Sequence, residues 1–304
     1  MEISVVVSTH NRASHLPRLF AALSAQTIEE HVSWELIVVD NRSTDDTAEV
    51  VERCSAKAGF PVTYVFEGRK GKSFGLNTGI ALARGRIIAL TDDDAVPAPD
   101  WLERVLLHFE MHNDVPCVGG RVELHDPADA VVAVRLSPNA TLTDVKSFDP
   151  ANIPVIGCNM AMDAELLRAV GLFDVDLGPG SRIGIAEDLD LLYRLTRSGH
   201  RIAYDPGLLV FHNHGRRTES EVGHVIRGYL IGRGAFYCKY LLQADGTVLR
   251  RVWWEVSGLL VRSLRSGVLT RRARASIRRL GLLFLGALRY LRYRQTRGAK
   301  NQRR

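Results

Sequence analysis

The sequence predicts an α/β fold in which a mostly parallel sheet is flanked by helices, and two observations lead to that prediction. Four short apolar runs alternate with segments of helical periodicity through residues 1–112. Each run is apolar along most of its length, as expected of strands that are buried on both faces. The chain has 304 residues, of which 46% are apolar, and is therefore long enough to bury a large core.

The predicted elements follow in the order strand, loop, helix, which is the order of parallel βαβ units. The pairs of strand and helix are ISVVVS and the Leu16–Leu23 segment, WELIVVD and DDTAEVVERCSAKAG, PVTYVFE and KSFGLNTGIALARG, and RIIALTDD and PDWLERVLLHFEMH. Residues 121–156 contain four prolines and predict irregular structure. Beyond them, VIGCNMAMDAELLRAVGLFD predicts a strand and a helix, Ala186–Ser198 a second helix, and RIAYDPGLLVFHNHG short strands.

Several classes of protein are excluded by cysteine spacing and hydropathy. The four cysteines are far apart and form no CxxC pair, which argues against a zinc cluster or a secreted disulfide framework. The N-terminus MEISVVVSTHNR lacks the basic and apolar regions of a signal peptide, so we expect a cytoplasmic protein. The longest uncharged run near the C-terminus, Leu280 to Leu288, is far shorter than the roughly 20 residues that a membrane-spanning helix needs.

Three adjacent aspartates, Asp92, Asp93 and Asp94, follow the apolar strand RIIALT. Neighbouring carboxylates repel one another unless a cation compensates them, and their oxygens are ligands that suit Mg and Mn. Open α/β sheets bind ligands beyond the carboxyl ends of their strands, which is where these residues lie. The motif therefore favours a divalent-metal site, and the alternative is an exposed acidic turn that caps the next helix.

Two further motifs could take part in the chemistry. Glu187 and Asp188 stand at the start of a predicted helix, where a carboxylate either caps the helix or serves as a general base. His212 and His214 follow the strand LLVF, and an imidazole there can complete a metal shell that begins with Asp94. We expect at most one of the two histidines to be a ligand, and both could instead be structural.

Polar residues at the other strand ends predict a pocket for a nucleoside diphosphate. They are Ser8-Thr9-His10-Asn11, Asp40-Asn41 and Glu67-Gly68-Arg69. The loop GRKGKSFGLNTG adds Lys70 and Lys72 just before a helix, where phosphate oxygens can bind. Its spacing fits neither GxxxxGK[ST] nor GxGxxG, which excludes a P-loop and a dinucleotide-binding fingerprint.

Seven segments, taken together in order and spacing, resemble those of family 2 glycosyltransferases. They are VVVSTHNR, VVDNRSTDDT, GKSFGLNTGIALARG, IIALTDDDAVPAPDWL, GCNMAMDAELLRAVGLFD, AEDLDLLYRL and VFHNHG, and they cover roughly residues 2–215. The resemblance implies the GT-A fold, a Rossmann-like sheet that binds a sugar nucleotide at its carboxyl edge. It also implies that the reaction inverts the anomeric centre.

The resemblance assigns the metal ligands. Asp92-x-Asp94 resembles the DxD motif, which implies that Asp94 binds Mn or Mg directly and that Asp92 lies nearer the ribose or the water shell of the metal. His212 matches the late histidine of the family, a metal or diphosphate contact, with His214 as the alternative. The implied metal residues are therefore Asp94, Asp92 and His212.

The resemblance also assigns the base and the nucleotide contacts. Asp188 matches the second residue of the family's ED pair, which deprotonates the acceptor hydroxyl, and Glu187 would orient the acceptor. The residues placed around the nucleotide sugar are Ser8, Thr9, Asn11, Asp40, Asn41, Lys72, Asn77, Asp92 and Asp93. Many uracil-binding members have aspartate where this chain has Asn41, so we expect a UDP-sugar and keep GDP- and dTDP-sugars as alternatives.

One further departure concerns the residue before Asn77. This position is often arginine in the family and is Leu76 here. Lys72 would then supply the diphosphate or sugar contact in its place.

Charge separates the chain into two parts. Residues 1–245 hold 24 Lys and Arg against 33 Asp and Glu, whereas residues 246–304 hold 16 against the single Glu255. We expect a glycosyltransferase domain over 1–220, with a nucleotide-binding half (1–120) and an acceptor-binding half (121–220), followed by a basic amphipathic helical tail over 221–304. Arginines opposite leucines in this tail favour peripheral binding to the cytoplasmic face of an anionic membrane; a solvated or self-associating tail is the alternative, and nucleic acid is disfavoured.

The sequence thus predicts a metal-dependent inverting glycosyltransferase that transfers a sugar to a hydroxyl of a glycan or lipid-linked glycan in cell-surface polysaccharide synthesis. Two alternatives remain open. A nucleotidyltransferase would carry a glycine-rich phosphate loop after its first strand, where this chain has STHNR. A non-catalytic membrane scaffold that binds a sugar nucleotide would not need the acidic residues that this chain retains.

Overall fold

The computed structural model describes residues 1–265 and 270–301, which form one mixed sheet with helices on both of its faces. The strands are β1 (Ile3–Thr9), β2 (Trp34–Asp40), β3 (Val62–Phe66), β4 (Ile87–Leu90), β5 (Ala95–Pro97), β6 (Cys117–Leu124), β7 (Thr141–Thr143), β8 (Met160–Asp163) and β9 (Ile202–His212). The helices are α1 (Leu16–Ser24), α2 (Thr47–Ser55), α3 (Lys72–Leu82), α4 (Trp101–Met111), α5 (Ala164–Ala169), α6 (Glu187–Arg197), α7 (Glu219–Leu241), α8 (Gly246–Arg265) and α9 (Arg271–Asn301). The predicted α/β fold class is confirmed.

The first four strands form a parallel half-sheet in the order β3-β2-β1-β4. Alternate residues of β1 point to opposite faces, so Val5 and Val7 pack against α1 while Val6 packs beneath α3. The strands and helices predicted for this region are all present. One expectation fails at the edge of the sheet, where Phe66 of β3 is 56% exposed because β3 has a neighbour on one side alone.

The second half of the sheet changes direction beside β4. Strand β8 lies antiparallel between β4 and β6, and β9 runs parallel to β6. The sequence predicts short strands around Pro206, but β9 is a single strand of 11 residues. Its register with β6 steps from Gly120 opposite Asp205 to Arg121 opposite Leu209, so a bulge takes up the proline and the strand continues.

Residues 121–156, whose place the sequence does not predict, lie along the far edge of the sheet. Their first residues complete β6, and β7 pairs antiparallel with β9. Phe148 and Val155 are fully buried in the main core. The segment is therefore held by contacts with distant parts of the chain, and the structure of its own residues is largely irregular.

Helices α7 and α9 pack so closely that their backbones nearly touch. A Cβ atom added to Gly234 would lie 1.9 Å from the Leu283 carbonyl oxygen, and one added to Gly286 would lie 1.9 Å from that of Ile231. Lys239 of α7 donates to Asp190 of α6 at 2.6 Å. The C-terminal helices thus form part of the main core.

Each of the last two helices has a second apolar face, which points outward. On α9, Ile277 and Phe284 are 51% and 65% exposed, whereas Leu282 and Leu283 are buried against the core. On α8, Trp253 is 71% exposed. Within residues 1–265 and 270–301, no helix combines the length and hydropathy needed to cross a membrane.

Candidate active site

A cleft of about 600 Å³ opens at the carboxyl ends of β1, β2 and β4, and the loop before α6 and one side of α7 complete its walls. Parallel strands bring their carboxyl ends to one edge, so polar residues far apart in the sequence meet there. The sequence-predicted site residues that line the cleft are Ser8, Thr9, Asn41, Lys72, Asp92, Asp93, Asp94, Glu187, Asp188 and His212.

Asp92, Asp94 and His212 form a cluster with the spacing of a metal site. Each offers one ligand atom, and these atoms lie within 4.8 Å of one another. His212 Nδ1 lies 3.1 Å from the Ala133 carbonyl oxygen, and its Nε2 lies 3.3 Å from Asp94 Oδ1. With the Nδ1 proton donated to Ala133, Nε2 would offer its lone pair to a metal that displaces the proton shared with Asp94, an arrangement typical of histidine ligands.

Arg12, in the loop after β1, compensates two of the aspartates. Its guanidinium contacts Asp94 and lies 3.3 Å from Asp93 Oδ1. Burial raises the pKa of Asp93 to about 7, although the charge of Arg12 opposes that shift. Burial would also raise the pKa of Asp94, but the hydrogen bonds and charges of His212 and Arg12 lower it overall. Asp94 is therefore the carboxylate held in its charged form.

Glu187 and Asp188 face the cleft from the first turn of α6. Asp188 Oδ2 accepts a hydrogen bond of 2.9 Å from the Gly157 amide. Asp188 Oδ1 and Glu187 Oε2 are buried and have no hydrogen-bond partner among the residues that the structure describes. Burial, with the neighbouring charge of Asp188, raises the pKa of Glu187 to about 8, and burial raises the pKa of Asp188 as well. A carboxylate with one held oxygen and one free oxygen is suited to accept a proton.

Gly157 makes the position of Asp188 possible. A Cβ atom at this residue would lie 2.6 Å from both carboxylate oxygens of Asp188. Glycine lets the carboxylate approach the backbone closely enough to accept the amide hydrogen bond. The segment GCN, which precedes β8 in the chain, is therefore part of the site through its backbone.

Asn41 holds the phosphate-loop candidate 69–71 with both ends of its amide. Its Nδ2 donates to the Arg69 carbonyl at 2.7 Å, and its Oδ1 accepts from the Gly71 amide at 2.8 Å. An aspartate could make only the second bond, because a carboxylate has no proton to donate at neutral pH. This contact gives a physical reason for asparagine at this position. Lys72, one residue further on, contacts Asp92 across the cleft.

Three predicted nucleotide contacts lie outside the cleft lining and bind other parts of the chain. Asn11 Oδ1 accepts from the Thr44 amide, and Asp40 accepts from the Ser43 amide and the Tyr64 hydroxyl. Asn77 exchanges two hydrogen bonds of 2.9 Å with the backbone of Phe173. The structure gives all three side chains local partners.

Several cleft residues are not predicted from the sequence. Arg12 could be inferred from its place after the first strand, in the motif STHNR. Glu221, His224 and Tyr229 of α7 also line the cleft. They lie in the segment assigned to the basic tail, and only the packing of α7 against α6 and the loop before it brings them to the site.

The comparisons with known sequences agree on one family. Residues 4–171 match the family described as Glycosyl transferase family 2. Glycosyltransferase AglE of Haloferax volcanii is 26% identical over 263 residues, which are 85% of this chain and 81% of the relative. The pre-mycofactocin glycosyltransferase of Mycobacterium tuberculosis is 28% identical over 240 residues, and an uncharacterized glycosyltransferase of a Nostoc species is 31% identical over 132 residues. These matches cover 78% and 43% of this chain, but only 46% and 40% of the two relatives.

Solved structures show the same fold. The mannosyltransferase PcManGT of Pyrobaculum calidifontis, solved with GDP-Man and Mn²⁺, superposes with a TM-score of 0.65 at 20% identity over 95% of this chain and 87% of that one. S. aureus TarS 1-349 with UDP-GlcNAc gives a TM-score of 0.54 at 16% identity over 97% and 92%. Because the family match spans more than half of the residues and the fold agrees with it, this chain belongs to glycosyl transferase family 2 and is a glycosyltransferase with the GT-A fold.

Proposed function

We propose that the protein is a metal-dependent, inverting glycosyltransferase that transfers a sugar from a nucleoside diphosphate to a hydroxyl acceptor. One observation carries the proposal. The cluster of Asp92, Asp94 and His212 faces the same cleft as Asp188, one carboxylate oxygen of which has no partner among the described residues, so the proposed diphosphate site and the proposed base would share one space.

The donor set fits a hard divalent cation. Carboxylate oxygens and one imidazole nitrogen suit Mn or Mg, and the hydrogen bond from His212 Nδ1 to Ala133 fixes the ring orientation. Asp94 and His212 would hold the ion, with Asp92 beside it. When bound, such an ion neutralises the negative charge that develops on the leaving diphosphate.

Asp188 would accept the proton of the acceptor hydroxyl as that oxygen attacks the anomeric carbon. The buried environment raises the pKa of its carboxyl, which favours proton uptake during the reaction. A single displacement from the face opposite the nucleotide inverts the configuration. Glu187, buried beside Asp188, would orient the acceptor.

The nucleotide would lie along β1 and β2, in the half of the chain formed by residues 1–120. Ser8, Thr9 and Asn41 line this end of the cleft, where Lys70 precedes α3 and Lys72 is its first residue. The two lysines would contact phosphate oxygens. We propose a UDP-sugar as donor, with GDP- and dTDP-sugars as the alternatives to be tested. The acceptor-binding half would be residues 121–220.

The proposal is tested by calorimetry and thermal unfolding with UDP-, GDP- and dTDP-sugars, each with and without Mn. We expect one nucleotide class to stabilise the protein in the presence of Mn, by about 2.7 kcal/mol at a hundredfold excess over the dissociation constant. Stabilisation that is equal with and without Mn would contradict the metal dependence. No response to any nucleotide sugar would contradict the donor class.

We further propose that α8 and α9 bind the surface of an anionic membrane, on its cytoplasmic face, where glycans for the cell surface would be assembled. Exposed Ile277, Phe284 and Trp253 provide apolar side chains for the interface. Exposed arginines of the same helix, such as Arg274 and Arg278, would meet anionic headgroups. Apolar contact and basic charge together are what surface-bound helices use.

A further inference from the structure

A second cavity, of about 570 Å³, lies beside the cleft between α7, α8, α9 and residues 149–151. We call it the arginine cavity, because Arg233, Arg251 and Arg279 line it. Tyr229 of α7 lines both spaces. Since a helix rises 1.5 Å per residue, Arg233 stands one turn, about 6 Å, further along α7 from this shared tyrosine.

The arginines exceed the carboxylates that could neutralise them. Among the residues that line the arginine cavity, three guanidinium groups face two carboxylates, Glu255 and Asp149. Glu255 is already occupied, because it accepts from Arg233 Nη2 at 2.8 Å and from the Tyr237 hydroxyl. Arg251 donates from Nη2 to the Lys146 carbonyl at 2.6 Å. The cavity therefore keeps a net positive charge.

Two of these guanidinium groups hold buried donors that bind nothing in the described part of the chain. They are the Nε–H groups of Arg233 and Arg251. Burying such a donor without an acceptor is costly, and phosphate oxygens are the acceptors that a guanidinium binds best, often through two parallel hydrogen bonds. The donors point to an anionic ligand with several oxygens.

The rim of the arginine cavity is apolar. Trp254 and Ile226 line it and are 68% and 43% exposed. Trp253, beside Trp254 in the chain, and Leu260 continue exposed apolar surface along α8. A ligand that places an anionic group on Arg233 and Arg251 would therefore lay an attached hydrocarbon chain against tryptophan and aliphatic side chains, with little contact to the polar cleft.

We propose that the arginine cavity binds the phosphate or diphosphate group of a lipid-linked acceptor. The acceptor hydroxyl then reaches Asp188 past Tyr229, while the lipid leaves along the exposed face of α8. This assignment rests on the proposed function, because it supplies the acceptor for the same base. It names the acceptor class by its chemistry, an anionic phosphate head on an apolar chain.

The test uses the full chain and three probes. Farnesyl phosphate and farnesol are each used below the critical micelle concentration, and the third probe is inorganic pyrophosphate. We expect farnesyl phosphate to bind and Arg251→Gln to weaken that binding by 10- to 100-fold, the loss typical of a charge-assisted hydrogen bond. Arg250→Gln is the matched control, because Arg250 is exposed, adjacent in α8 and outside the cavity. It should keep the affinity of the unaltered protein.

Several outcomes would overturn the proposal. If Arg251→Gln and Arg250→Gln weaken farnesyl phosphate binding equally, the ligand is attracted by the general basic charge of α8 and not by the cavity. Farnesol binding as tightly as farnesyl phosphate would show that no phosphate is recognised. Pyrophosphate binding as tightly, with the same loss in Arg251→Gln, would show that the arginine cavity is a site for free phosphate. Arg279→Gln, which alters an exposed cavity residue, repeats the test if Arg251→Gln lowers the melting temperature.

The same samples separate this proposal from the proposed function. Asp94→Ala should abolish Mn-dependent binding of the nucleotide sugar and leave farnesyl phosphate binding intact. Loss of farnesyl phosphate binding in Arg251→Gln together with normal donor binding supports the arginine cavity alone. Absence of donor binding in the unaltered protein contradicts the proposed function, whether or not farnesyl phosphate binds.

Discussion

The cleft is rich in acidic side chains and the last two helices are rich in basic ones, and the two regions differ in how far these side chains are buried. In the cleft, Asp93 and Asp94 are buried, and the guanidinium of Arg12 compensates both. Helices α8 and α9 hold one acidic residue, Glu255, and most of their arginines point to solvent. Buried charges require partners at fixed positions, whereas exposed charges keep their hydration.

This difference separates two kinds of recognition. The cleft fixes its carboxylates in one geometry, which suits chemistry at defined atoms. Arginines such as Arg274 and Arg278 of α9 are exposed to water, which suits an extended anionic surface. Changes in the cleft should therefore alter donor binding and proton transfer without altering attraction to membranes, and changes in the exposed apolar side chains of α8 should do the reverse.

The largest effect is expected at the base. Asp188→Asn keeps the shape and the Gly157 hydrogen bond but accepts no proton, so transfer should fall by about 10²- to 10⁴-fold. Donor affinity by calorimetry and partition to anionic vesicles should stay unchanged. Full turnover in this variant would show that another group takes the proton.

The next effect concerns the metal cluster. Asp94→Ala removes one of the three clustered ligand side chains, and we expect Mn-dependent affinity for the donor to fall by more than tenfold. Asp100→Ala is the matched control, because Asp100 follows the next strand, β5, lies outside the cleft and pairs with Arg104. Equal donor affinity in both variants would contradict the assignment of Asp94.

A smaller effect is expected for the exposed apolar side chains of α8. Trp253→Ala removes an exposed indole, and partition to anionic vesicles should fall about tenfold, as expected for the loss of about 1.5 kcal/mol of apolar burial. Leu107→Ala on α4 alters another exposed apolar side chain and should not change partition. Vesicle sedimentation measures both. Identical partition of the three proteins would exclude α8 from the membrane contact.

The last prediction concerns stability against pH. Burial raises the pKa of Glu187 from its ordinary value near 4.5 to about 8, so between these values the unfolded chain has released a proton that the folded protein retains. Stability of the metal-free protein should therefore decrease as the pH rises through this range, by at most about 1.4 kcal/mol per pH unit from this group. Glu187→Gln should make the decrease shallower in urea titrations at several pH values. A slope identical to that of the unaltered protein would show that Glu187 is already ionised.

The same two regions differ in how far the sequence predicts them. Strands β1 to β4 and their helices follow directly from apolar runs that end in polar clusters, and the topology then brings Asp94, Asp188 and His212 to one edge. Residues 121–156 could not be predicted, because β7 forms only by pairing with β9. The faces of α9 are ambiguous for the same reason: Leu282 and Ile277 are both apolar, and only packing against α7 decides which one is buried.

Residues that act through the backbone or through distant packing were also beyond sequence reasoning. Gly157 carries no side chain that could signal a role, yet its amide holds Asp188. Tyr229 belongs to a helix that follows the recognisable motifs. Both become visible only once the fold brings the segments together.

Tyr229 has a consequence for the order of events in turnover. Its side chain is a wall common to the cleft and the arginine cavity, so a rotation of this one ring changes the volume of both spaces at once. Binding in one space then changes the free energy of binding in the other. By thermodynamic reciprocity, the factor by which a bound donor changes acceptor affinity equals the factor by which a bound acceptor changes donor affinity.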